Sequence, residues 1–236
     1  MKRKILYRLK KVFRYLSGKS LKIKKEINCN FHWYGSSYGG FYIFPNNLNE
    51  ESIVYSFGIG EDISFDKTVI EKHNCNVFAF DPTPKSIGWV NNQKLPKKFK
   101  FYEFGISNKS GSTFFYLQKN KKNVSGSLIH NNNLDKQDKI EVQVKSFNDI
   151  AKDLNHKMIN VLKMDIEGTE YQVLSDILES GVYIEQLLIE FHHRFYKDGK
   201  LKTENAIKLL KRYGFEIYAA SDSSEEISFI RREVLN

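Results

Sequence analysis

The sequence predicts an α/β fold: a seven-stranded, mostly parallel sheet with helices on both faces and a C-terminal antiparallel hairpin. Two observations predict it. Strand-length apolar runs alternate with stretches of helical period from residue 53 onward. Such alternation builds a parallel sheet covered on both faces. The last two runs, FEIYAAS and EISFIRR, are separated by only a few residues around Asp222-Ser223-Ser224. That is too short for a crossover, so this pair is antiparallel.

The elements follow in order. Residues 29–50 are aromatic with Gly and Asn turns and read as a loop or short hairpin covering something. IVYSF (53–57) is a buried strand running into Gly58-x-Gly60, and a helix is expected over 64–73. NVFAFD (76–81) is a second buried strand, after which Pro82 and Pro84 break the chain. KFKFYEFGIS (98–107) alternates as a third strand, and STFFYL (112–117) is another. Residues 118–139 are polar and expected as a mobile loop. KIEVQVKSF is a strand and SFNDIAKDL a helix. INVLKMDIEG (159–168) is a strand ending in acids, followed by a helix stopped at Gly181. QLLIEFHHRF (186–195) is a strand ending in Glu and two His. Residues 203–214 form a helix with Thr203 as N-cap and Gly214 just past its end.

Charge divides the chain. Eleven of its 37 Lys and Arg lie in residues 1–25, which contain no acid, leaving 26 basic against 28 acidic residues elsewhere. The sequence therefore predicts a basic arm, 1–28, and a near-neutral domain, 29–236. Ile5, Leu6, Leu9, Val12, Phe13 and Leu16 recur at helical spacing. A basic helix with one apolar stripe suits an anionic membrane surface; packing on the body is the plainer alternative. Charge concentrated on an arm rather than a folded face argues against a nucleic-acid partner. Two cysteines, Cys29 and Cys75, without metal-ligand spacing indicate a reducing, cytoplasmic setting.

In open α/β sheets ligands bind at the carboxyl ends of the strands. There the sequence collects Gly58, Gly60, Glu61 and Asp62, then Asp81, then Asp165 and Glu167, then Glu190, His192 and His193. A glycine pair lets backbone N–H groups reach a ligand. The dinucleotide pattern fails, because Ile63 stands at the third glycine. Glu61 and Asp62 repel a pyrophosphate but suit a cationic cofactor. Asp165, Glu190 and His192 are the candidates to take a proton, with His192 as base oriented by Glu190 on the same strand face. The same three residues are a possible site for a divalent metal, which no paired-Asp spacing requires and which is not expected.

VYSFGIGEDISFD, AFDPTPKS, LKMDIEGTEY and LLIEFHHRF together resemble the FkbM-type family of S-adenosylmethionine-dependent methyltransferases, over about residues 39–231. The resemblance implies the class I, Rossmann-like methyltransferase fold, S-adenosylmethionine as cofactor and O-methylation, in several relatives on sugars of polysaccharides, lipopolysaccharides or glycosylated metabolites. It implies that Gly58 and Gly60 hold the methionine part, Asp81 the ribose hydroxyls, and that Gly105-Ile106 border the adenine. This chain departs from the family's glycine loop, with Ser56 at the usual acid and Asp62 at the last glycine; Glu61 is the substitute candidate for the methionine amine. The expected activity is methylation of a hydroxyl on a cell-surface glycan or its lipid-linked precursor, by an enzyme held peripherally at the inner membrane face. The aromatic segment Trp33–Phe44 is placed to stack on a sugar or simply to cover the sheet. The competing readings are a nicotinamide-dependent oxidoreductase and a non-catalytic, membrane-associated binding module of the same fold.

Overall fold

The structure, a computed structural model, describes residues 21–118, 126–127 and 134–235. The predicted amphipathic helix of residues 1–20 lies outside them, as does most of the predicted polar loop. In chain order the elements are β1 (His32–Tyr34), β2 (Phe41–Ile43), β3 (Ile53–Phe57), α1 (Ser64–His73), β4 (Asn76–Phe80), α2 (Pro84–Asn91), β5 (Phe99–Tyr102), β6 (Gly105–Ser107), β7 (Gly111–Gln118), β8 (Gly126–Ser127), β9 (Leu134–Ser146), α3 (Phe147–Asp153), β10 (Met158–Met164), α4 (Glu170–Glu179), β11 (Tyr183–Glu190), α5 (Gly199–Arg212), β12 (Phe215–Ala220) and β13 (Glu226–Arg231). A 3₁₀ turn, His193–Phe195, follows β11.

Seven strands form the main sheet in the order β12-β13-β11-β10-β3-β4-β5. Strands β11, β10, β3, β4 and β5 run parallel. The C-terminal strand β13 inserts antiparallel between β11 and β12. The predicted α/β sheet with its terminal hairpin is therefore present.

The central strands are apolar on both sides because both sides are covered. One face meets α3, α4 and α5 around Phe147, Leu174 and Leu210. The other meets α1 and α2, and also the β1–β2 hairpin through Phe41 and Ile43. Phe44 N–H donates to Gln186 Oε1 at 3.0 Å and Gln186 Nε2 donates back to Phe44 O at 2.8 Å. The aromatic segment is thus mainly a cover bolted to β11; Tyr38, at its tip, is 81% exposed.

Several local expectations needed correction. Pro84 opens α2 at its first position, where a missing N–H costs nothing, and Thr83 caps the helix through its side chain. The predicted strand over 98–107 divides: β5 stays in the main sheet, while β6 joins a second sheet of order β6-β9-β7-β8. Helix α5 begins at Gly199, so Thr203 is not its cap; the Thr203 hydroxyl instead donates to Gly199 O at 3.1 Å. Strand β11 ends at Glu190, so His192 and His193 do not alternate across a strand. Residues 21–28, assigned by charge to the arm, are attached to the body. Glu26 N–H donates to Ile217 O at 2.7 Å, the Glu26 carboxylate accepts from Ile217 N–H, and Leu21 is buried.

Candidate active site

A cleft open to solvent lies at the carboxyl ends of β3, β4 and β10. Of the predicted residues, Gly58, Gly60, Glu61, Asp62, Asp81, Gly105, Ile106 and Asp165 line it. Ser56 does not. Its side chain is fully buried beside Asp66 and Lys163, because alternation along β3 turns it under the loop.

The glycine loop is held from three sides. Gly58 has φ +74°, and a Cβ there would lie 1.6 Å from the Asp165 carbonyl oxygen. Its N–H donates to Phe80 O at 2.9 Å, and its carbonyl accepts from the buried ammonium of Lys163 at 2.9 Å. The N–H groups of Ile59 and Gly60 donate to Asp81 Oδ2 at 3.2 and 3.0 Å. Asp81 Oδ1 accepts from the Thr83 N–H at 2.9 Å and hydroxyl at 2.7 Å. A carboxylate has about four acceptor positions, and all four are engaged. Burial raises the Asp81 pKa against these hydrogen bonds. Asp81 is thus an organiser of the loop in this conformation, whereas Glu61, at the cleft rim and 3.5 Å from the Lys85 ammonium, is the more accessible carboxylate.

Asp62 stands at the start of α1. Its Oδ1 accepts from Ser64 N–H at 2.8 Å and its Oδ2 from the Ser36 hydroxyl at 2.5 Å. Burial opposes its ionisation, but these bonds prevail and lower its pKa. The helix N-terminus that a pyrophosphate would use is already filled by a carboxylate.

The acidic end of the cleft is built by the loop after β10. Glu167 has φ +51° and Gly168 φ +102°, which folds the loop back over Glu170. Glu170 Oε1 accepts from Gly168 N–H at 3.1 Å and lies 2.7 Å from His192 Nδ1; both side chains are buried. His192 Nε2 then faces Asp165 at 3.7 Å, Glu167 at 3.4 Å and Glu190 at 3.5 Å. Burial alone would lower the imidazole pKa; Glu170, then Asp165 and Glu167, more than reverse this and push it up to about 10. Burial, then the charge of Asp165, raises the Glu190 carboxyl. The orienting partner differs from the expected one: Glu170 holds Nδ1, while Glu190 faces Nε2. His193 is separate, its Nδ1 3.3 Å from Phe191 O.

Sequence reasoning missed Glu170 and Lys163. An acid in the first turn of a helix ordinarily serves the dipole, so nothing marked Glu170 as buried. Lys163 did carry a signal, as a lone charge inside the apolar strand NVLKM. Phe115 and Val144 reach the cleft from the second sheet, and Tyr38 from the hairpin tip.

The family model described as "Methyltransferase FkbM domain" matches residues 31–217. The human protein named "Probable methyltransferase-like protein 24" is 23% identical over 199 residues, covering 80% of this chain and 48% of that protein. Its rat counterpart is 22% identical, covering 78% and 47%. The chain thus spans about half the length of the curated relatives it matches. Among solved structures, the Methanococcus jannaschii fibrillarin pre-rRNA processing protein has a TM-score of 0.45 at 12% identity, covering 77% of this chain and 66% of that one. Aeropyrum pernix fibrillarin, solved with natively bound S-adenosyl-L-methionine, has a TM-score of 0.42 at 11% identity, with the same coverage. Among the described residues no helix is long and apolar enough to cross a membrane.

Proposed function

The chain belongs to the FkbM methyltransferase family, and we propose that it is an S-adenosylmethionine-dependent O-methyltransferase acting on a sugar hydroxyl of a cell-surface glycan or its lipid-linked precursor. The observation that carries this reading is one cleft with two chemistries. A glycine loop without a phosphate site forms one part, and a cluster of carboxylates around His192 borders it at Asp165.

The residues present fit the cofactor. Gly58, Gly60, Gly105 and Ile106 line one solvent-open cleft, and the ionised Asp62 beside them suits a ligand carrying positive charge. When bound, the cofactor supplies a methyl group made electrophilic by its sulfonium. Gly58 and Gly60 would hold its methionine part, Glu61 the ribose hydroxyls, and Gly105 and Ile106 the adenine border. Asp81 serves indirectly, by fixing the loop that Gly58 and Gly60 form.

Asp165 is the proton acceptor in this reading. It lines the cleft, with His192 Nε2 3.7 Å from its carboxylate. The acceptor hydroxyl passes its proton to Asp165 as its oxygen takes the methyl group. A positioned base of this kind contributes typically about 10²–10⁴-fold. Asp165→Asn is therefore expected to lower turnover by that order while leaving S-adenosylhomocysteine affinity, measured by calorimetry, within about threefold. Failure of folded wild-type protein to bind S-adenosylhomocysteine below millimolar concentration ends the reading.

Residues 1–20 would hold the enzyme at the inner membrane face, where lipid-linked acceptors reside, since each Lys or Arg near an anionic leaflet contributes about 1 kcal/mol. Co-sedimentation with anionic liposomes should fall when residues 1–20 are removed; equal binding by both forms rejects this placement.

A further inference from the structure

We infer that Asp165, Glu190 and His192 form a divalent-cation site, of a kind suited to Mn²⁺, at the acceptor end of the cleft. Each of the three offers one ligand atom, and those atoms lie within 4.8 Å of one another. The group is not merely acidic. His192, 1% exposed, turns Nε2 into the space between the two carboxylates, with the Asp165 and Glu190 oxygens 3.7 and 3.5 Å away. These separations exceed the usual ~2.7–3.2 Å of an N–H···O hydrogen bond. They match the roughly 3–4 Å between neighbouring ligand atoms around an ion with bonds of about 2.0–2.3 Å.

The other ring nitrogen supplies an independent observation. A metal-ligating histidine almost always engages a carboxylate, carbonyl or water through its second nitrogen, which fixes its tautomer. Here Nδ1 meets Glu170 at 2.7 Å, and Glu170, itself fully buried, is further anchored by the N–H groups of Ile166 and Gly168. That arrangement aims Nε2 at a fixed point. One imidazole with two carboxylates favours an ion that accepts both donor types, which points to Mn²⁺ ahead of the oxygen-seeking Mg²⁺ or Ca²⁺.

Three ligands leave coordination positions open, and Asp165 joins the site to the cleft it lines. An acceptor hydroxyl bound there would lose its proton more readily, and the second carboxylate oxygen of Asp165 stays available to take it. This role rests on the methyl-transfer reading; the ion's binding does not.

The test is titration of the full-length, EDTA-treated protein with Mn²⁺, free ion being read by electron paramagnetic resonance. One ion per chain is expected, with at least about tenfold weaker binding in both Asp165→Asn and Glu190→Gln. Glu170→Gln should weaken it by about 10–100-fold through loss of ring orientation, with the melting profile retained. S-adenosylhomocysteine titration of the same samples reports separately on cofactor binding, so loss of one without the other separates the two ideas. A stoichiometry far below one, affinity unchanged in Asp165→Asn, or displacement of Mn²⁺ by equimolar Mg²⁺ would each overturn the site. Should Glu170→Gln fail to fold, the partly exposed Asp165→Asn decides.

Discussion

At Gly58 the main chains of β3, β4 and the loop after β10 come together, and the positive φ is only half of the reason for glycine there. A methyl group would overlap the Asp165 carbonyl, so relief requires moving the loop that carries Asp165. Gly58→Ala is expected to lose S-adenosylhomocysteine binding and to lower stability by about 2 kcal/mol or more, read by calorimetry and thermal melting. Asp81 and Glu61 separate by a different test. Asp81→Asn keeps the shape but turns an acceptor into a donor facing the Gly60 N–H, so both stability and cofactor affinity should drop. Glu61→Ala should cost affinity alone, since Glu61 lies at the rim; an equal loss of stability would count against its assignment to the ribose. The charge on His192 also has a pH signature. Its folded pKa of about 10 lies above the ordinary 6.5, so its stabilising contribution is complete below about pH 6.5 and disappears as pH rises through 10. The raised Glu190 acts in the same direction from lower pH. In EDTA-treated protein Tm should fall across that window, and His192→Gln should flatten the slope.

Among the elements, the β1–β2 hairpin is tied to the main sheet by buried polar side chains: the Tyr218 and Ser228 hydroxyls meet Tyr42 O at 3.0 and 2.8 Å, and Gln186 makes the largest set of bonds. Gln186 satisfies both the N–H and the carbonyl of Phe44 and accepts from the Tyr218 hydroxyl, all within the buried layer. Gln186→Ala leaves buried backbone groups without partners, each costing about 1–3 kcal/mol. A lowered Tm, with increased protease cleavage between residues 29 and 50, is the expected result; an unchanged melt would mean that apolar packing of Phe41 and Ile43 suffices. The 21–28 segment adds to the β12 edge of the main sheet, where Glu26 bonds to β12 and pairs with Lys211 of α5. Removing residues 1–28 should therefore destabilise the protein more than removing residues 1–20. A boundary drawn by charge alone misses this, because Glu26 and Leu21 act through the edge backbone and the core.

For the whole molecule, sequence alone determined the parallel sheet, its terminal hairpin and the edge at which charged residues gather. Those features arise from local periodicity and from connection length, which are written in consecutive residues. It also singled out Gly58, Gly60, Asp81, Asp165 and His192, because strand ends are where such a sheet presents polar groups. The tertiary structure decided which partners each group meets. Asp81 is saturated by loop donors, Ser56 lies beneath the loop, and His192 is oriented by Glu170 from α4 rather than by Glu190 on β11. None of these pairings spans a fixed sequence interval. They depend on which strand ends meet across the sheet and how much water remains between them, and burial sets the protonation of a carboxylate or imidazole as strongly as its chemical type does.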